Sequence, residues 1–416
     1  MKRTLLLTLF LYSSCAFAQD DMDDMPGMHM AAMHMNPAGM YLMDMASGTS
    51  RNPASWTMPM LMTRAGSWNL MFMGTAFLVD TQQSGPRGGD KLYSPNNFMF
   101  SAEHSLWGGS LMFQTMLSLE PATITNRSYP LLFQTGETAY GRPLVDAQHP
   151  HNFVMSAGVQ YAHKLGEATT LQFYYAPVGD PALGPVAYPH RASAAELPQA
   201  PISHHWQDST HIADNVATVA VQYSWLRLEA SGFYGTEPGE NRWRFEWGSM
   251  NSYSGRVSVA PTKNWSFQLS AGRLANPERQ EQGDVTRVTS SLSYSRPIGD
   301  NSWSTSLIWG RNHDTVTQHN LNSYLAETVY PVSPRNFLTG RWELVDKDEL
   351  AAAGIWRIGA YTAGYTRDLG SLPFLETGIG ANLTAYTLPE NLKPLYGGRP
   401  WGVNLYLRLR LKKEHP

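Results

Sequence analysis

The chain has 416 residues and a formal net charge of −3, with 12% aromatic and only 16% charged residues. Soluble domains carry roughly 25% charged residues, so this composition points away from an ordinary soluble protein, and the mild negative balance argues against a nucleic-acid partner. No long apolar run follows the N-terminal segment, which excludes membrane-spanning helices.

Residues 1–18 read as an export signal. Lys2 and Arg3 supply the basic region, Leu5 to Tyr12 a short apolar run, and Ala16-Phe17-Ala18 a small-residue cleavage site before Gln19. The only cysteine, Cys15, lies inside this signal, and Tyr12-Ser13-Ser14 ahead of it is a poor lipoprotein match. The exported chain is therefore expected to lack thiols and disulfides. An exported, aromatic-rich chain without spanning helices is best placed in the outer membrane of a Gram-negative bacterium.

Residues 19–65 form a Met/His/Asp-rich tail, expected to be flexible or plug-like. Nine methionines crowd its residues 22–45: Met22, Met25, Met28, Met30, Met33, Met35, Met40, Met43 and Met45. His29, His34 and four aspartates (Asp20, Asp21, Asp23, Asp24) sit among them, and Leu42 is the only large aliphatic residue between Met22 and Met45. Thioether sulfur is a soft donor that suits Cu(I), while imidazole suits Cu(II), Zn and Ni as well. Spacings of two and three residues let several sulfurs converge on one ion without a preformed fold. The expected ligand is a copper ion, with no organic cofactor. The alternative is a linker or plug helix that uses methionine as adaptable filler, although Pro26-Gly27 and Pro37 interrupt a continuous helix. The series runs on through Met58, Met60 and Met62 to Met71 and Met73. That is either a methionine trail into the barrel or a pair of side chains facing lipid.

From residue 66 to 411 the sequence alternates with period two between turn signals. Trp401, Val403, Leu405, Leu407, Leu409 and Leu411 alternate with Gly402, Asn404, Tyr406, Arg408 and Arg410, so one face suits lipid and the other water. Sixteen strands are expected (range 14–18), near 67–79, 97–107, 109–119, 152–164, 168–176, 215–224, 226–235, 251–261, 264–274, 284–297, 301–313, 318–329, 335–346, 354–368, 372–386 and 399–411. Long links near 80–96, 120–151, 177–214, 236–250, 275–283, 347–353 and 387–398 alternate with short turns; only the link at 314–317 is short where a long one is expected. This predicts an all-β fold, a transmembrane antiparallel barrel with periplasmic turns and extracellular loops. A charged tail, 412–416, follows.

Two groups of side chains stand out within the barrel region. His149, His151, His190, His204, His205 and His211, with Asp208, fall in two long loops and are candidates for a metal site or a pore constriction. Arg408 and Arg410 are candidate lumen charges. Ser203, His204, Asp208, Ser209 and His211 also permit a remote hydrolase reading, but no Gly-x-Ser-x-Gly elbow accompanies them, and the chain is expected not to be an enzyme.

The segment Gly402-x-x-Leu405-x-Leu407 resembles the C-terminal assembly signal of outer-membrane barrels, though a charged tail stands where a terminal aromatic is usual. A signal, a Met/His/Asp-rich tail and a barrel together resemble the copper-resistance outer-membrane proteins of Gram-negative bacteria. Gly141-Arg-Pro-Leu-Val-Asp-Ala-Gln-His-Pro-His151, Pro201-Ile-Ser-His-His-Trp206 and Asn251-Ser-Tyr-Ser-Gly-Arg256 resemble a little-characterised barrel family found near heavy-metal efflux genes. The resemblance implies copper binding, transport or resistance, with outer-membrane lipid, metal ions and a periplasmic copper carrier or efflux system as partners. The alternative is a general solute porin with no dedicated metal role.

Overall fold

The computed structural model describes residues 35–208, 213–278, 283–372 and 374–411. The export signal, Asp20 to Asp24, Met22, Met25, Met28, His29, Met30, Met33 and His34 lie outside the described residues. So do Ser209, His211 and the tail 412–416.

Sixteen strands close into one antiparallel barrel. In chain order the first eight are Trp68–Gln83, Asn96–Leu106, Gly109–Leu117, Val154–Lys164, Thr169–Gly179, Ala213–Tyr223, Leu226–Tyr234 and Ser252–Val259. The second eight are Trp265–Leu274, Val285–Ile298, Asn301–Asp314, Asn320–Ser333, Asn336–Lys347, Trp356–Leu372, Leu375–Thr387 and Trp401–Leu411. Each pairs with its neighbour in sequence, and the last closes onto the first from Thr75↔Arg410 to Gln83↔Gly402. Alternation decides the faces. In the last strand Asn404, Tyr406 and Arg408 are buried in the lumen while Leu405, Leu407 and Leu409 are exposed on the outer surface. Outward leucines and phenylalanines on the other strands continue this apolar band (Leu78, Phe98, Phe113, Leu269, Leu307, Leu338). At the short-turn end Trp265, Tyr294, Trp303 and Tyr330 form a ladder across four strands, with ring centroids 4.6, 5.4 and 5.8 Å apart. Amphipathic rings gather at a membrane–water boundary, so this ladder marks one edge of the lipid band.

Three features of the links were not anticipated. Leu61–Ala65 pairs with Trp68–Phe72 on the same side of the first strand as the closing strand. It covers an edge that would otherwise be left unpaired. Asp90–Tyr93 adds a short rung against Val79–Gln82. The link 120–151 carries a hairpin of its own, Tyr129–Ala139 with Arg142–Gln148, whose Leu131, Leu132 and Phe133 are almost wholly buried. A period-two run inside a loop reads like a barrel strand only when it is long enough to span lipid, and this one bulges twice.

A sixteen-strand wall encloses more space than its own side chains fill. Here two other segments enter it. Residues 35–60 run along the inside, beginning with the helix Pro37–Met43. Asn36 caps that helix, accepting from the Ala38 and Gly39 N–H groups. Pro37 starts the helix rather than breaking one, since its missing N–H costs nothing at the first position. The helix buries Ala38, Tyr41 and Leu42 against the lumen-facing Met71, Met112 and Ala162. Full burial of a side chain such as Leu42 contributes about 2 kcal/mol. Met71 and Met73 therefore do not face lipid: Met71 is 5% exposed within this cluster, and Met73 packs on a second inward one. Asn69, Met71 and Met73 share the parity of the lumen face in the first strand. The second entering segment is the link 180–208, which is buried along most of its length.

Candidate functional site

The lumen is graded by side-chain chemistry from the long-loop end inward. Its mouth is a cavity of about 410 Å³ edged by Glu137, Glu237, Glu240, Glu278 and Glu349. Below it the hairpin and the inward link bring His149, His204 and His205 together. One ligand nitrogen from each lies within 4.8 Å of the others, and all three are buried. His204 and His205 sit on a single helical turn, His204–Gln207, with ring centroids 4.2 Å apart. His205 lies so close over Gly136 that a Cβ there would stand 2.2 Å from its ring. Gly136 also has φ of +103°, so glycine is required twice over.

Burial pulls His149 down to about 3, helped by its neighbour His151 and only partly offset by the Pro150 carbonyl. Burial likewise holds His204 well below the ordinary histidine value, with His149 adding to the effect. His204 is thus a neutral imidazole near pH 7, the form that donates a lone pair to a metal, while His149 Nε2 faces Glu137 Oε1 at 3.2 Å. His204 Nδ1 is 2.8 Å from the Pro201 carbonyl, which assigns the proton to that nitrogen and leaves Nε2 as the donor.

His151 links this group to a deeper one. Its Nδ1 meets Glu120 Oε1 at 2.9 Å and its Nε2 meets Tyr188 Oη at 3.3 Å. Burial alone would lower His151, but Glu120, together with Asp180 and Asp208, outweighs it and leaves it above the ordinary value. Beyond Tyr188, His190 Nε2 stands 3.0 Å from Met116 Sδ. Burial drops His190 to about 4, with His151 acting in the same direction. At the level of Met116 the wall is thioether: Met73, Met99, Met116 and Met155 form one cluster. Met71 and Met112 form another with Met43 and Met45 of the entering segment, against which Met35, Met60 and Met62 pack. Met40 is half-buried in the same helix.

The lumen charges do a different job from the one expected of a selectivity ring. Arg408 pairs with Glu196 of the inward link and with Asp368. Arg410 pairs with Glu196 at 3.0 Å and with Glu376 at 2.9 Å. Arg191 of the same link meets Glu327 at 2.9 Å, and Glu327 also holds Arg341 at 2.9 Å. These are anchors that tie the link 180–208 across the barrel. Asp208 belongs to this set through Arg191 at 3.8 Å and the Tyr188 N–H at 3.2 Å. The Ser203 hydroxyl donates to Glu343 at 2.8 Å and to Gln207 at 3.3 Å, so it is engaged by a carboxylate and an amide.

The arrangement thus gathers His149, His204 and His205, sets His151 and His190 deeper, and uses Asp208, Arg408 and Arg410 as struts. Sequence reasoning missed Met99, Met112, Met116 and Met155. The signal available was parity: Met112, Gln114 and Met116 share the inward face of their strand.

Fold and outer surface together define an outer-membrane β-barrel. Among solved structures, the anion-selective porin from Comamonas acidovorans is similar at 13% identity, with 83% of this chain and 100% of that chain covered and a TM-score of 0.55. The Salmonella typhi OmpF complex with daunomycin is similar at 10% identity, covering 84% and 100%, with a TM-score of 0.51. No family model matches the chain, and no curated protein does. The expectation that the chain is not an enzyme does not follow from this fold. Outer-membrane expressed OmpT of Vibrio cholerae is also among the similar structures (8% identity, 84% and 100% covered, TM-score 0.47). Likenesses of this degree speak to the fold alone, and a barrel fold decides nothing about catalysis.

Proposed function

We propose that the chain is an outer-membrane channel of the porin type with a narrowed, cation-favouring lumen. The observation that carries this is the closed sixteen-strand wall with a lipid-facing exterior and a polar interior opening on an acidic mouth. Clefts lined by one sign of charge concentrate the opposite ion. The two segments inside the barrel restrict passage to small solutes. In planar bilayers the refolded full chain should give discrete current steps, smaller than an unobstructed barrel of this size would pass, with a reversal potential favouring cations. Silent membranes, both before and after brief urea treatment to loosen the lumen, would rule the channel out.

A second, finer reading is that the solute is a soft or borderline metal ion, copper first among them. It is supported by the order of donors along the lumen: carboxylates, then neutral imidazoles, then thioethers. That series runs from hard to soft, the direction in which a Cu(I) ion is increasingly well accommodated. In this reading the tail methionines capture the ion. Micromolar Ag(I), a redox-stable analogue of Cu(I), should then block or reshape the current steps. Steps indifferent to Ag(I) would leave only the general porin.

A further inference from the structure

We infer that Met116 and His190, with Met155, Met99 and Met73 around them, form a built binding site for a soft monovalent d10 cation, Cu(I) or Ag(I), in the lumen wall. The inference rests on the metal reading above but on none of the tail residues outside the described region.

The site arises from strand register. Met73 pairs across from Met99, and Met99 across from Met116. Met116 then faces Ser156 on the next strand, where a bulge sets Met155 beside it. Four adjacent strands thus place four inward thioethers in one lateral row, and they pack into one cluster with Val178. Apolar filling of a wall needs no such coincidence of one residue type at one level. A row of sulfurs has a chemical use: thioethers select soft cations.

The inward link supplies the fifth donor. His190 Nε2 stands 3.0 Å from Met116 Sδ, and the backbone that carries it is pinned, since the Asn52 amide donates to the His190 carbonyl at 2.9 Å. Metal–nitrogen and metal–sulfur bonds of about 2.0–2.3 Å put two donors roughly 3.5 Å apart across a tetrahedral ion. An ion would therefore spread the pair by about half an ångström, within the reach of a methionine side chain. A cavity of about 10 Å³ lies at this point, lined by Met116, Met155, His151, His190, Asp180 and Asp208. That is close to the smallest space that holds a single water. It adjoins a larger cavity of about 90 Å³, edged by Met58, Met73, Met155 and His190, which provides a route in. Arg191 and Arg410 also edge that larger cavity, each paired to carboxylates. Gln114 donates to Met99 Sδ at 2.8 Å and orients that thioether.

The test is an anaerobic Cu(I) competition titration of the detergent-folded full chain, repeated with Ag(I), on three proteins. One is the parent. The second carries Met99→Leu, Met116→Leu and Met155→Leu, exchanges that keep side-chain volume and so keep the barrel folded; heat-modifiable gel mobility checks this. The third carries leucine at Met22, Met25, Met28, Met30 and Met33. The expected result is a site that weakens at least thirtyfold in the wall variant and persists in the tail variant. X-ray absorption of the loaded protein should show mixed sulfur and nitrogen neighbours. Loss of binding in the tail variant with an unchanged wall variant would overturn this site while leaving the metal reading in place. No binding of either ion to the parent would overturn both.

Discussion

Two segments occupy the same lumen and are held there by opposite means. The link 180–208 is fixed by charge: Glu196 with Arg408 and Arg410, Arg191 with Glu327, and Ser203 with Glu343. Residues 35–60 are fixed mainly by packing, with Tyr41, Leu42, Met43 and Met45 against Met71 and Met112. Their polar contacts run mostly to neutral acceptors: Tyr41 Oη donates to Gln172 at 3.1 Å, Arg51 to Gln222 at 2.9 Å and Arg227 to the Thr49 carbonyl at 2.9 Å. Buried ion pairs are demanding in geometry and costly to break, so they specify one arrangement. Thioether and aromatic packing tolerates displacement. The link is therefore the more firmly fixed of the two, and the N-terminal segment the more readily moved.

The largest effect should come from Glu196→Ala. It strips a partner from two inward arginines and should cost about 3–5 kcal/mol of anchoring, as for other buried pairs broken on one side. Asp368 and Glu376 retain part of the pairing, which favours the lower end. Single-channel conductance should rise several-fold, and conductance equal to the parent's would deny that the link is the constriction. Leu42→Ala should cost about 2–5 kcal/mol by opening a cavity, and its main signature is earlier proteolytic nicking within residues 35–60. If the link 180–208 is cut first instead, the contrast is reversed. The smallest effect concerns the acidic mouth. Burial pushes Glu237 up to about 7, against the pull of Arg287 and with help from Glu349. Protonated below that value and charged above it, Glu237 should make cation preference grow as pH rises from 6 to 8. A reversal potential flat across that interval would remove Glu237 from the conduction path.

Much of the barrel is legible in the sequence because each wall residue answers to one local rule. Leu405 and Arg408 lie on opposite faces for reasons contained within a few neighbours. Long and short links sorted themselves by parity for the same reason. The interior was not legible, since it depends on which loop turns inward. Nothing near Glu196 announces Arg408, and nothing near His190 announces Met116. The hairpin 129–148 looked like plain loop because its strands bulge and never meet lipid. Met73 and Met99 lie on separate strands, and only register turns them into neighbours.

The short strand Leu61–Ala65 has a bearing on how the barrel is made. Its pairing with Trp68–Phe72 joins near neighbours in the chain, whereas closure joins Thr75 to Arg410 from opposite ends. Local hairpins form in microseconds, and distant pairings wait on loop closure. When the final strand arrives, the Trp68–Phe72 part of the receiving edge is already taken, and Thr75–Gln83 remains open to it. A slip of one residue would turn Arg408 toward lipid and Leu407 toward the lumen. The early hairpin thus acts as an end-stop during assembly, narrowing the registers open to the last strand before that strand docks.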